Sequence, residues 1–130
     1  MPQDIEVILM RQLASCLAMP ILVVDPQGDL VFFNEPAEAI LGRRFEETGT
    51  LRRGEWSATF KPTDSEGVPL TRQDQPLFIA TDQRRAVHGR GSIEGFDGVR
   101  REIEGAAFPL LAKSGQLLGA VSIFWEVKQT

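Results

Sequence analysis

The residues able to carry chemistry are few in this chain. It has one histidine, His88, one cysteine, Cys16, and no tyrosine. The nearest approach to an acid–base pair is Glu102 with Glu104, which share one face if that stretch is a strand. Two such carboxylates act as acid and base only where their surroundings drive their pKa values apart. Nothing joins them: there is no Ser/His/Asp order, no cysteine near a histidine, no phosphate-cradling glycine loop and no metal-ligand cluster. The glycines of "GRGSIEG" (89–95) sit inside a strand pattern, where glycine marks a bulge or a close approach. The expectation is a protein that is not an enzyme.

Composition narrows the partners. At 130 residues the chain forms one domain able to bury roughly two-thirds of its unfolded surface, so it needs no staples. A single cysteine makes no internal disulfide, and no signal-peptide pattern is visible at the start. No apolar run approaches the ~20 residues of a membrane helix. A cytoplasmic protein without membrane insertion is expected. The net charge is −4, and the basic residues are scattered as Arg-Arg pairs at 43/44, 52/53, 84/85 and 100/101, which speaks against nucleic acid as a partner.

These residues need elements to position them. Ile5, Ile8, Leu9, Leu13, Cys16 and Leu17 recur at three- and four-residue spacing, which predicts an amphipathic helix over 4–19 with Asp4 at its start and Pro20 beyond its end. Cys16 is then a packed thiol. Asp25-Pro26-Gln27-Gly28 has turn chemistry at every position, so 21–24 and 30–33 pair as a hairpin. Neither flank alternates apolar with polar, as in strands covered on both faces. Asn34 stands where a side-chain oxygen caps a helix, Pro36 fits its first turn, Ala37, Ile40 and Leu41 face inward, and Gly42 ends it.

Glycines and prolines break any period over 43–71, leaving a loop-rich region with short helical turns anchored by Leu51, Trp56, Phe60, Val68 and Leu70. A helix covers 72–82. Strands follow at about 86–95, 100–111 and 117–127. A two-residue turn at Asp97-Gly98 puts Glu94 opposite Arg101 and, less happily, Ile93 opposite Glu102. The order helix, two strands, helices, three strands is an α+β arrangement. The leading helix at 1–19 serves as a dimerisation segment or lid, and 20–130 forms the domain proper. Only Lys128, Gln129 and Thr130 follow the last strand, so an output function would be cut away or supplied in trans.

The segment "MPILVVDPQGDLVFFNEPAEAILG" resembles the opening hairpin and first helix of PAS domains. "DSEGVPLTRQDQPLFIAT" resembles the loop into the long helix of that family, and "GFDGVRREIEGAAFPLLAKSGQLLGAVSIFWEV" resembles its closing meander. The resemblance, over about 14–127, implies a five-stranded antiparallel sheet with helices packed on one face. It implies a sensory, signal-transducing role, with a small molecule held between helices and inner sheet face. It also implies a homodimer formed through the leading helix and outer face, and a signalling output domain or partner protein.

The expected ligand is a small apolar molecule such as a fatty acid, with no obligatory cofactor. The pocket candidates are Phe33, Leu41, Phe78, Val87, Ile103 and Phe108, with Arg90 and Glu94 to orient a polar head if their side chains face inward, the alternative being a place on the surface. The dimer-interface candidates are Ile5, Leu9, Leu13, Ile123 and Trp125. A ligand-free dimerisation module is the alternative, and a haem sensor ligated by His88 a minor one. In haem-binding relatives, however, the ligand stands on the long helix, whereas His88 falls in the following strand. The cysteine motif of flavin photosensors, "NCRFLQ", does not occur, and a coumaryl chromophore has neither its cysteine nor its tyrosine here.

Overall fold

A computed structural model describes residues 19–127. The helix expected at 4–19, with Ile5, Leu9, Leu13 and Cys16, lies outside the described residues. The elements are β1 (Ile21–Val24), β2 (Leu30–Phe33), α1 (Glu35–Leu41), α2 (Phe45–Thr48), α3 (Arg53–Phe60), β3 (Thr63–Asp64), a 3-10 turn (Arg72–Asp74), α4 (Pro76–Gln83), β4 (Val87–Glu94), β5 (Arg100–Leu111) and β6 (Leu117–Glu126). The strands form one antiparallel sheet in the order β2-β1-β6-β5-β4-β3. It has six strands where five were expected. The additional one, β3, is two residues long and sits in the stretch whose glycines and prolines hide any strand period.

β1 accounts for the apolar opening hairpin. Leu22 and Val24 point into the main core while Ile21 and Val23 point to the opposite face, and all four are buried. Its neighbours β2 and β6 saturate its backbone on both edges, with Leu22 opposite Phe33 and Ser122. A strand with two closed edges and two covered faces has no reason to carry a polar residue. The Asp25 carboxylate accepts the backbone N–H of Gln27 and of Asp29, closing the turn.

α1 follows the sequence closely. Asn34 caps it by accepting the Ala37 N–H, Pro36 lies in the first turn, and Gly42 ends it with φ at +81°, where a β-carbon would also strike Asp97. Ala37 and Leu41 are fully buried beneath it. The loop-rich stretch after it, expected to hold short helical turns, contains a two-turn helix, α3, whose anchors Trp56 and Phe60 are core residues. Val68, expected as an anchor, is instead 54% exposed on the tip of the loop after β3.

The β4–β5 register differs from expectation by one residue. Glu94 pairs with Arg100 and Ile93 with Arg101. The loop has three residues, 96–98: Gly98 donates to the Gly95 carbonyl, Gly95 donates to Val99, and only Gly98 takes positive φ. A type I turn followed by one left-handed glycine replaces the two-residue turn. The shift removes the poor Ile93–Glu102 match and brings Arg101 to the inner face. There its guanidinium donates to the Ile40 carbonyl at the end of α1 (2.7 Å) and reaches Asp97 (3.3 Å). The Val99 N–H and the Arg101 guanidinium hold the Asp97 carboxyl below the usual carboxylate range.

Two apolar clusters result. The larger lies between the inner sheet face and the helices, and the smaller lies on the outer face around Ile21, Val23 and Val121.

Candidate ligand-binding cavity

The inner sheet face is uneven. Toward β1 and β2 it carries Leu22, Val24, Leu30 and Phe33, which fill the space under α1. Toward β4 and β5 the inward positions fall on Gly89, Gly91 and Gly105, with Gly89 directly opposite Gly105 and Gly91 opposite Ile103. Ser122 continues this small-residue surface on β6, between Leu22 and Ala107. A sheet without side chains on neighbouring strands leaves a hollow that helices, riding on the taller residues nearby, cannot descend to fill.

The hollow is a partly open cavity of about 230 Å³. Its floor includes Gly89, Gly91, Gly105 and Ser122, and its roof is made by Trp56 and Phe60 of α3 with Pro76 and Leu77 of α4. β3 closes one side through Thr63, against which a β-carbon at Gly91 would strike the backbone carbonyl. The glycine there permits the close approach of two strands. The wall is predominantly apolar.

Roof and polar lining are each held in place. Trp56 stacks on Phe78 with ring centroids 5.2 Å apart and donates its indole N–H to the Gly28 carbonyl at 2.9 Å. This bond ties α3 to the first hairpin, so the indole is oriented at both ends. Gln75, 5% exposed, stands immediately before α4, and its amide hydrogen-bonds the Ser57 hydroxyl at 2.9–3.1 Å. The charged residues of the wall are engaged elsewhere. His88 Nε2 lies 3.1 Å from Glu104, and the Arg90 guanidinium lies 3.7 Å from Glu102. Asp64 accepts the Glu66 and Val68 N–H groups, and Asp74 accepts the Thr71 hydroxyl.

Of the pocket residues expected from sequence, Val87 and Ile103 line this cavity; Arg90 borders it, but its side chain takes the outer face with Glu102 and is not placed to orient a polar head. Phe33, Leu41 and Phe78 lie in the closed core beside it, each almost fully buried, and Phe108 belongs to the outer cluster with Val121. Ile123 packs half-buried in that outer cluster, and Trp125 is 39% exposed on the same face. The imidazole of His88 also takes the outer face, paired across with Ala106, and is not directed at a ligand held under the helices. Glu102 and Glu104 point outward as well, each to its own basic partner.

Sequence reading missed Trp56, Gln75, Ser122 and the three glycines as cavity residues. The signal for the floor was present: glycines at 89 and 91 are two apart, and a period of two places both on one strand face. Among the described residues, no group of three or more His, Cys, Asp and Glu is placed to hold a metal ion. No described helix is long and apolar enough to cross a membrane.

No protein-family model matches the sequence, and no curated protein matches it. Solved structures do resemble the fold. The PAS domain of a Colwellia psychrerythraea protein is similar at TM-score 0.67 and 20% identity, over 95% of this chain and 98% of that one. The PAS domain of Bordetella pertussis BvgS is similar at TM-score 0.58 and 16% identity, over 95% and 87% of the two chains. The Rhodobacter sphaeroides LOV protein reaches TM-score 0.75 at 11% identity, over 97% and 70%. At these identities the likeness is one of architecture, and it agrees with the hairpin, capped helix and closing meander described above. The chain has the PAS fold.

Proposed function

We propose that this protein is a sensory domain whose stimulus is a small, mainly apolar molecule held in the cavity between α3, α4 and the inner sheet face. The cavity carries this reading: on its floor Gly89 keeps open a space that an ordinary side chain would fill, since a β-carbon there meets only the Pro76 ring, against the tendency of protein interiors to close-pack. A sensor also needs an output surface, and we assign it to the outer sheet face. There Ile123 is half-buried and Trp125 remains exposed, as suits contact with a second copy or a partner protein. The domain is read as non-catalytic because Glu102 and Glu104 are each matched to a separate base on an open surface. That arrangement lacks the contrasting environments that acid–base chemistry requires.

The ligand-free dimerisation module is the second reading, favoured by Trp125. One experiment addresses both. Native mass spectrometry of the purified protein is expected to show added small-molecule mass that is lost on denaturation. Gly89→Val, which places two methyl groups in the cavity, should remove that mass while preserving the fold. Trp125→Glu should leave bound mass unchanged and convert dimer to monomer. A ligand-free dimer, with no small molecule taken up from added mixtures, would replace the sensor reading with the dimerisation module. A stable monomer would remove the assignment of the outer face.

A further inference from the structure

The size and polarity of the cavity specify more than apolar character. An apolar cavity of about 150 Å³ accommodates a benzene ring, so in proportion about 230 Å³ accommodates roughly nine non-hydrogen atoms. That is a fused bicyclic ring, well short of the larger cofactors that need pockets several times this volume. Trp56, Phe60 and Phe124 in the wall offer aromatic surfaces, which favour a flat aromatic ligand.

Negative charge is excluded by the same wall. Asp64 and Asp74 carry negative charge and accept only from neutral donors, while the side chains of His88 and Arg90 take the outer face with Glu104 and Glu102, so an anionic ligand would enter without a counter-charge and at high desolvation cost. Two polar groups retain capacity. The Gln75 amide has two N–H donors and two acceptor positions, more than its pairing with the Ser57 hydroxyl uses. Among the described residues, the Ser122 hydroxyl on the floor has no side-chain hydrogen-bond partner. Gln75 is buried, so a ligand group that satisfies its remaining capacity gains a hydrogen bond shielded from water.

We infer that the cavity selects flat, bicyclic aromatic molecules without negative charge, of about nine non-hydrogen atoms, that carry one hydrogen-bonding ring atom met by Gln75. This rests on the sensory reading above and names the ligand class of the same site. Indole and indene have nearly the same size and shape and differ in the ring N–H. They separate the apolar contribution from the polar one.

The test is calorimetric titration of the intact chain with indole, indene, octanoate and flavin mononucleotide. Indole and indene should both bind saturably at one site per chain, indole about fivefold tighter because of its additional hydrogen bond. Gln75→Leu should abolish that preference by weakening indole alone, whereas a merely structural Gln75 would weaken both alike. Gly89→Val should eliminate binding of both. Equal affinities for indole and indene in the unmodified protein would overturn the role of Gln75 and with it the inference. Tighter binding of octanoate or flavin would overturn the ligand class while leaving a sensory cavity in place. No uptake of any of the four, together with no bound mass in the native spectrum, would overturn both.

Discussion

Gly105→Ala is expected to destabilise the protein by about 3 kcal/mol, while Gly89→Ala, directly across the strand pair, leaves stability within about 0.5 kcal/mol of the parent or slightly raises it. The two glycines face each other on β4 and β5 and look interchangeable in sequence. Their surroundings differ. A β-carbon on Gly105 would meet the Ile123 carbonyl oxygen, with Phe124 Cα and Cβ each at 2.8 Å. Most of these atoms belong to the backbone of β6, which is locked between β1 and β5 and cannot retreat without breaking a ladder in the middle of the sheet. A β-carbon on Gly89 would meet only the Pro76 ring, at the ordinary distance of 3.8 Å. Alanine there also lowers the entropy of the unfolded chain.

Urea unfolding of both variants measures the contrast as a displaced midpoint at constant slope for Gly105→Ala and little change for Gly89→Ala. Equal midpoints would show that β6 yields easily, and the rigid floor required of the cavity would be lost with it. The pair separates two uses of glycine within one site. Gly105 permits strands to approach, and Gly89 reserves volume for a ligand.

The local signals in the sequence were read well where one residue type has one structural use. Asn34, Pro36 and Gly42 mark both ends of α1, and the unbroken apolar run Ile21–Val24 marks a doubly covered strand. The signals failed where an outcome depends on distant partners. β3 is only two residues long and exists because β4 offers it an edge, so no period of its own could reveal it. The β4–β5 register depended on whether Asp97 took positive φ, and the three-residue loop avoids that need. For the cavity, the large apolar residues Phe33, Leu41 and Phe78 do the opposite of lining a space: they close it. Empty volume comes from side chains that are absent, and Gly89 marks it, whereas Gly91 serves the approach of β3.

Asn34→Ala is the second large effect, an expected loss of about 3 kcal/mol from a residue that lies outside the cavity. Asn34 is 1% exposed and holds the beginning of β1 to the beginning of α1. Its Oδ1 accepts the Ile21 N–H at 2.9 Å and the Ala37 N–H at 3.2 Å, while its Nδ2 donates to the Met19 carbonyl at 2.8 Å. Alanine deletes the cap, worth about 1 kcal/mol, and removes the side-chain partner of a buried strand N–H, which costs a further 1–3 kcal/mol or so. Against a typical total of about 5–15 kcal/mol this is a large fraction. Asn34→Ser, able to cap Ala37 but too short to serve β1 as well, should recover about 1 kcal/mol. Because α1 does not line the cavity, folded Asn34→Ala protein should bind indole with unchanged affinity, whereas Gly89→Val should bind none and unfold near the parent midpoint. A loss below about 1 kcal/mol on Asn34→Ala would mean that water or backbone shifts replace the side chain. An altered indole affinity in that variant would mean that the first hairpin and the cavity are coupled, through the bond from Trp56 to the Gly28 carbonyl that joins them.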